Sequence, residues 1–397
     1  MKTPEIISKQ AALEARCAEW RALGWFAFDT EFIRDDTYDA NLCLMQVQAE
    51  GDAVLIDPAE VDVAPFWELV ADPAVRTIVH AGKEDFDLCL RAIGKPPRNI
   101  FDVQIAAGFV GYGYPLSLQR LVQAVLRRRV SKGQTLTDWS LRPLTPEQLH
   151  YAIEDVAYLP GVCRKIERRL QERQRVEWAA EEFARLEDPA LYRPTPQDRL
   201  QKLRGTGKLD GLGLAVLSRL LTWREEWARA RNRPTRAMMR DDILIEIARR
   251  RPKQARDLEV LRGFPQARNP KVIQEILDIA RAAEAAPPES WPQPQAQRED
   301  PPMMRAVLDL ISAFTRAVCL DEEVDPDLVG STQRFREVLE HLAGEREAQP
   351  VLLGGWRADF IGNRLIELLK GVSGIRLAGW PRDLRLTILP ADGAGRG

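Results

Sequence analysis

Asp29 and Glu31 stand two residues apart at the end of an apolar run, Trp25-Phe26-Ala27-Phe28, that reads as a buried strand. Residues i and i+2 of a strand point to one face, so the two carboxylates share a side. Like charges held together in apolar surroundings are costly unless a cation or hydrogen bonds offset them. Tyr151 and Asp155 are four apart in a helical stretch and also share a face. A third set of acids, Glu84, Asp85 and Asp87, follows His80-Ala81-Gly82, where a strand gives way to a helix. Each set alone has a plain structural reading: a strand end in solvent, an exposed helix acid, carboxylates favoured at a helix start by the macrodipole. Any metal chemistry in this chain must use such carboxylates, which select hard divalent ions such as Mg²⁺ or Mn²⁺. Either Asp85 or Asp87 could supply the ligand from the third set.

Composition narrows the chemistry to that kind. Only three histidines occur (His80, His150, His341), too few for a multi-histidine metal site. The five cysteines are odd in number and form no C-x-x-C, which argues against a disulfide framework or a zinc ribbon and fits a reducing cytosol. With 45% hydrophobic and 29% charged residues, the 397-residue chain is an ordinary globular one of two or three domains. No apolar run approaches the roughly 18 residues of a membrane span. The N-terminus carries acids and lacks the apolar core of a signal peptide. A G-x-x-x-x-G-K-[ST] loop is missing, so no helicase motor is expected.

The net charge of −2 hides an asymmetry. Residues 201–281 hold 19 Lys and Arg against 10 Asp and Glu, a net of +9, which leaves −11 on the rest. A basic block joined to an acidic remainder suits a module that holds a polyanion.

The elements that must position the acids are legible in outline. Residues 8–23 have helical periodicity and end at Gly24; strand-like runs follow at 25–32, 41–48 and 53–57, the last two spaced as a hairpin. A short helix around Pro65–Val70, a strand ending in VHAG, a helix through Asp85–Ile93 and an extended-to-helical NIFDVQIAAGFV come next. Thr145-Pro146-Glu147-Gln148 has the form of a capping box with proline at the first helical position, and Pro160 should break that helix. This predicts a mixed α/β sheet over residues 1–190, all-helical segments at 200–286 and 303–375, a Pro/Gln-rich linker at 287–302, and a partly disordered tail at 376–397. Because Asp29 through Asp155 all precede the Pro-interrupted connector at 187–198, a fragment ending near residue 195 is expected to fold alone.

The order of D-x-E, an acid after H-A-G, and Y-x-x-x-D resembles the DEDDy class of 3′-to-5′ exonucleases, and within it the ribonuclease D family. The likeness is carried by FDTEF (28–32), IVHAGKED (78–85), FDVQIAA (101–107), DWSLRPLT (138–145) and YAIEDVAYL (151–159). LAVLSRLLTWREEWARARNRP (214–234) resembles the start of an HRDC domain, and GWRADFIGNRLIELL (355–369) the end of a second such module. The resemblance implies a ribonuclease H-like exonuclease domain followed by two all-α HRDC-like domains. It implies a 3′-to-5′ exoribonuclease with two divalent ions, releasing 5′-mononucleotides from tRNA precursors in the cytoplasm.

The site residues so implied are Asp29, Glu31, Asp85, Tyr151 and Asp155, with Asp85 rather than Asp87 as the ligand. Asp29 would bridge both ions, Glu31 and Asp155 complete one, Asp85 support the other, and Tyr151 orient the attacking water. Lys132 and Arg142 flank the last motif as candidate RNA-phosphate contacts. His80, Trp223 and Trp227 read better as packing residues. Two other readings compete: a single-stranded DNA 3′-to-5′ exonuclease, and a catalytically silent RNA-binding scaffold.

Overall fold

The computed structural model describes residues 4–34, 36–51, 53–130, 137–264, 269–293, 301–379, 382 and 385–390. They form two compact units: Met1–Glu31 with Leu44–Pro189 and Asp300–Gly397, and Phe32–Cys43 with Ala190–Glu299.

The first unit is organised by the strands β1 (Glu5–Ile7), β2 (Trp25–Ile33), β3 (Asn41–Gln48), β4 (Val54–Ile56), β5 (Arg76–Val79) and β6 (Ile100–Asp102), in the sheet order β1-β4-β3-β2-β5-β6. Helices α1 (Gln10–Leu23), α2 (Ala64–Val70), α3 (Lys83–Ile93), α4 (Val103–Gly108), α5 (Leu118–Leu126), α6 (Pro146–Ala157), α7 (Leu159–Glu172) and α8 (Val176–Leu186) accompany it. The 41–48 and 53–57 runs pair antiparallel, with Met45 opposite Ile56, as a hairpin requires. β2, β5 and β6 run parallel, and β1 pairs parallel to β4. β1 has no counterpart in the sequence reading, because three residues are too short for a period to register.

Alternation along β2 sorts its side chains. Phe26 and Phe28 enter an aromatic core with Phe66 and Trp67 of α2 and Phe86 of α3, at centroid distances of 5.2 Å for Phe26–Phe66 and 6.1 Å for Phe28–Phe86. Ala27, Asp29 and Glu31 take the other face. Gly24 ends α1 in the left-handed region at φ 78°, where a side chain would be strained. The Thr145 capping box forms in both directions, and Pro160 separates α6 from α7.

Helices α9 (Pro196–Lys202), α10 (Gly211–Ala230), α11 (Thr235–Met238), α12 (Asp241–Arg250), α13 (Ala255–Glu259) and α14 (Pro270–Glu284) build the second unit. Leu214, Leu217 and Leu221 of α10 pack with Leu244, Ile247 and Ile276. Trp223 and Trp227 stack at 5.1 Å against this core, and the Trp223 indole donates to Glu275. Of the linker expected at 287–302, residues 294–300 lie outside the described residues.

Helices α15 (Pro302–Glu322), α16 (Pro326–Val329), α17 (Thr332–Leu342) and the helical stretch 355–369 pack into the first unit. Arg357, 6% exposed, donates to Glu182 of α8 at 2.5 Å and to the carbonyls of Leu328 and Val329. The Trp356 indole donates to the same carboxylate at 2.8 Å, and its ring meets Phe109 and stacks on Trp178. Burial works against the Glu182 charge, but Arg357 and Trp356 outweigh it and hold the carboxyl below its ordinary range. Arg175, also buried, joins the Phe109 carbonyl to Glu322. A Cβ on Gly108 would stand 2.5 Å from Leu328, so only glycine admits this approach. An antiparallel hairpin, β7 (Ser373–Ala378) and β8 (Arg385–Pro390), starts within the segment expected to be all-helical to residue 375 and runs into the expected tail.

Candidate active site

Parallel pairing of β2 with β5 runs from Trp25 opposite Arg76 to Ala27 opposite Ile78. β2 then continues past the carboxyl end of β5, carrying Asp29 and Glu31 beyond its neighbour. Open α/β sheets place ligands at such strand ends. From that end of β5 the chain turns through His80–Gly82 into α3, whose third residue is Asp85. Thr30 faces α3, on the opposite side of β2 from Asp29 and Glu31, and its hydroxyl donates to the buried Asp85 carboxylate. Asp155 and Tyr151 come from α6; the tyrosine hydroxyl donates to Asp155, and its ring lies 6.0 Å from Trp139.

The electrostatics of this group are those of buried acids that raise one another's pKa values. Burial raises the Asp29 carboxyl well above its ordinary range, and the charges of Asp85, Asp155 and Glu31 raise it further. Burial, then Asp155 and Asp85, push Glu31 up to about 8. Burial carries Asp85 and Asp155 to about 7, against the hydrogen bonds from Thr30 and Tyr151. Burial and the neighbouring acids keep the Tyr151 phenol protonated at any ordinary pH. Clustered carboxyls with raised pKa values in one place mark a functional site more often than a structural one.

The donors suit hard divalent ions: four carboxylates from three elements, all oxygen, with negative charge to be offset. Among the described residues no three such side chains already stand as a closed metal cage.

Asp87 is turned away from this group and pairs with Arg91 at 3.0 Å. Two helix positions, roughly 200° of rotation, separate it from Asp85. Replacement of Asp85 by Ala is therefore expected to remove most hydrolysis, and replacement of Asp87 by Ala to leave it within about threefold, since surface ion pairs contribute little. Turnover of the two purified variants decides it, and a reversed result would overturn the assignment to Asp85.

The flanking basic residues come out differently. Arg142 gives Nε and Nη2 to Asp57 at 2.7 and 2.9 Å and Nη1 to the Trp139 carbonyl. Its guanidinium clasps the segment before α6 to the end of β4, so the expected phosphate contact is not carried forward. Lys132 lies outside the described residues. His80 is a packing residue, as expected, with Nε2 2.8 Å from the Leu116 carbonyl. Sequence reasoning missed Thr30, whose position between two acids hides that it serves the opposite face. It also missed Asp102, whose place just before a helix is an N-cap signal.

Residues 4–171 match the 3′-5′ exonuclease family and residues 213–279 the HRDC domain. Among curated proteins, the ribonuclease D of Gluconacetobacter diazotrophicus is 33% identical over 385 residues, covering 94% of this chain and 96% of that protein. The ribonuclease D of Acidiphilium cryptum is 34% identical over 396 residues, 98% of each chain. The crystal structure of Escherichia coli RNase D, described as an exoribonuclease involved in structured RNA processing, superposes with a TM-score of 0.81 at 27% identity, over 93% of this chain and 99% of that one. No helix among the described residues is long and apolar enough to cross a membrane.

Proposed function

Because the chain belongs to the ribonuclease D family and is a 3′-5′ exoribonuclease, we propose that it trims RNA 3′ ends with two divalent ions, Mg²⁺ or Mn²⁺, held by Asp29, Glu31, Asp85 and Asp155. The products are 5′-mononucleotides, and the substrates are tRNA precursors or other structured RNAs in the cytoplasm. The observation that carries this reading is the gathering of four acids and Tyr151 at the carboxyl end of β2 and β5. When bound, the ions supply Lewis-acid stabilisation of phosphoryl charge and a lowered pKa for the attacking water.

The chain's own groups do the rest. Asp29 and Glu31, on one face of β2, present their oxygens together. Thr30 fixes the rotamer of Asp85 from the same strand. Tyr151 keeps its proton, so it serves as a donor that orients water and not as a base that removes a proton. The net charge of +9 over residues 201–281 holds the phosphates upstream of the cut by counterion release, without reading sequence.

A silent RNA-binding scaffold would have no reason to keep four like charges together at such cost. A single-stranded DNA exonuclease would use the same acids and is separated by substrate. Incubation with 3′- and 5′-labelled RNA and DNA, with Mg²⁺, Mn²⁺ or EDTA, should give mononucleotides from the RNA 3′ end only when metal is present. Preference for DNA, or metal-independent cleavage, would overturn the reading. In the same assay Tyr151→Phe should turn over on the order of a hundredfold more slowly under single-turnover conditions, with metal binding retained. An unchanged rate would return Tyr151 to packing against Trp139.

A further inference from the structure

Asp102 ends β6 and is 1% exposed. Its carboxylate accepts four backbone N–H groups. Oδ1 takes Gln104 at 2.8 Å, Ile105 at 3.3 Å and Ala81 at 3.2 Å; Oδ2 takes Gly82 at 3.1 Å. The bonds from Gln104 and Ile105 cap α4. Those from Ala81 and Gly82 do something else: they pin the turn between β5 and α3.

That turn is a strained and crowded one. Ala81 has φ +59°, a conformation that L residues seldom adopt without support. Gly82 is the N-cap of α3 and brings no side-chain cap of its own. A Cβ there would stand 2.6 Å from Val79 Cγ2. The Gly82 carbonyl accepts from Phe86 at 3.0 Å, starting the helix whose third residue is Asp85. On the other side, His80 and the Gln104 amide both meet the Leu116 carbonyl. Through these bonds the direction of α3's first turn depends on one carboxylate that shares no hydrogen bond with the four acids, although its charge is near enough to raise the Asp85 carboxyl.

We propose that Asp102 is a positioning residue for metal uptake, holding the β5–α3 turn, and with it Asp85, where the ions need it. The proposal rests on the reading of Asp85 as a ligand. All four partners are donors, so a carboxylate is required. Asparagine separates the two duties. Its single oxygen can keep the three bonds of Oδ1, including the α4 cap, but its NH₂ cannot accept from Gly82.

The test is Mn²⁺ binding by electron paramagnetic resonance on the full chain near neutral pH, with amide exchange measured alongside. Asp102→Asn should stay folded and keep a normal RNA KM at saturating Mn²⁺. It should bind Mn²⁺ about ten- to a hundredfold more weakly, the usual cost of losing a group that orients a ligand. Faster amide exchange should be confined to residues near 81–86. Parental Mn²⁺ affinity in the folded variant would overturn the proposal. Absence of Mn²⁺ binding by the parent protein would instead defeat the reading of the acid cluster. Should the variant fail to fold, the unaltered protein still answers: slow exchange of the Ala81 and Gly82 amides, comparable with the core of β5, supports the tie, and rapid exchange refutes it.

Discussion

An Asp29→Asn protein should keep its fold and lose roughly a thousandfold or more of its RNA hydrolysis at saturating Mg²⁺. The amide matches the carboxylate in shape but is a neutral, weaker ligand. The charge stabilisation at stake is several kcal/mol, and each 1.36 kcal/mol is tenfold in rate. The same substitution should raise stability without metal. The folded carboxyls of Glu31, Asp85 and Asp155 stand at about 8, 7 and 7, above the ordinary value near 4. Between about pH 4 and 8 the folded, metal-free protein thus binds more protons than the unfolded chain. The stability from these neutral forms is fully present below about pH 4 and is lost as pH rises through 7 to 8. Burial and the charges of Asp85, Asp155 and Glu31 also raise the Asp29 carboxyl, and the substituted amide, which does not titrate, is spared that cost, which grows as pH rises above the ordinary carboxylate range. In EDTA at pH 8 the variant should melt a few degrees above the parent, with the gap closing at pH 5. Near-parental turnover, or a lower melting temperature at pH 8, would contradict the account of the site.

Arg357→Ala should destabilise the first unit by about 3 kcal/mol, because it removes the buried counter-charge of the Glu182 carboxylate, 9% exposed, and leaves it only the more exposed Arg185 at 3.2 Å. It also leaves the Leu328 and Val329 carbonyls without their donor. Adding Glu182→Leu should recover much of the loss, since a buried pair can often be replaced by apolar groups at little cost. For the same reason a fragment ending near residue 195 should not fold as the connector suggests. It would expose Phe109 and Trp178 and leave Arg175 and Glu182 without Glu322, Trp356 and Arg357. Thermal melts of the point variants and the solubility of the fragment test this directly. A cooperative, soluble 1–195 fragment with parental melting would show that residues 300–397 are dispensable to the core.

Local pattern was enough for much of the site. Asp29 and Glu31 share a face by strand period, and Tyr151 and Asp155 by helix period. The Thr145 capping box and Pro160 bound the helix that carries the latter pair, and the 41–48 and 53–57 runs pair as their spacing requires. These are matters of neighbours within a few positions, where backbone geometry leaves little choice. Tertiary packing decided the rest. Which of Asp85 and Asp87 faces the cluster depends on the rotation of α3, set by Phe86 against Phe28 and by a turn held from Asp102. Arg142 is as free in sequence to meet a phosphate as to meet Asp57, 85 positions away. Nothing near residue 182 announces that its partner is Arg357, 175 positions on. Such pairings are chosen by which buried charge finds which counter-charge when distant segments close over a common core, and no spacing along the chain encodes that.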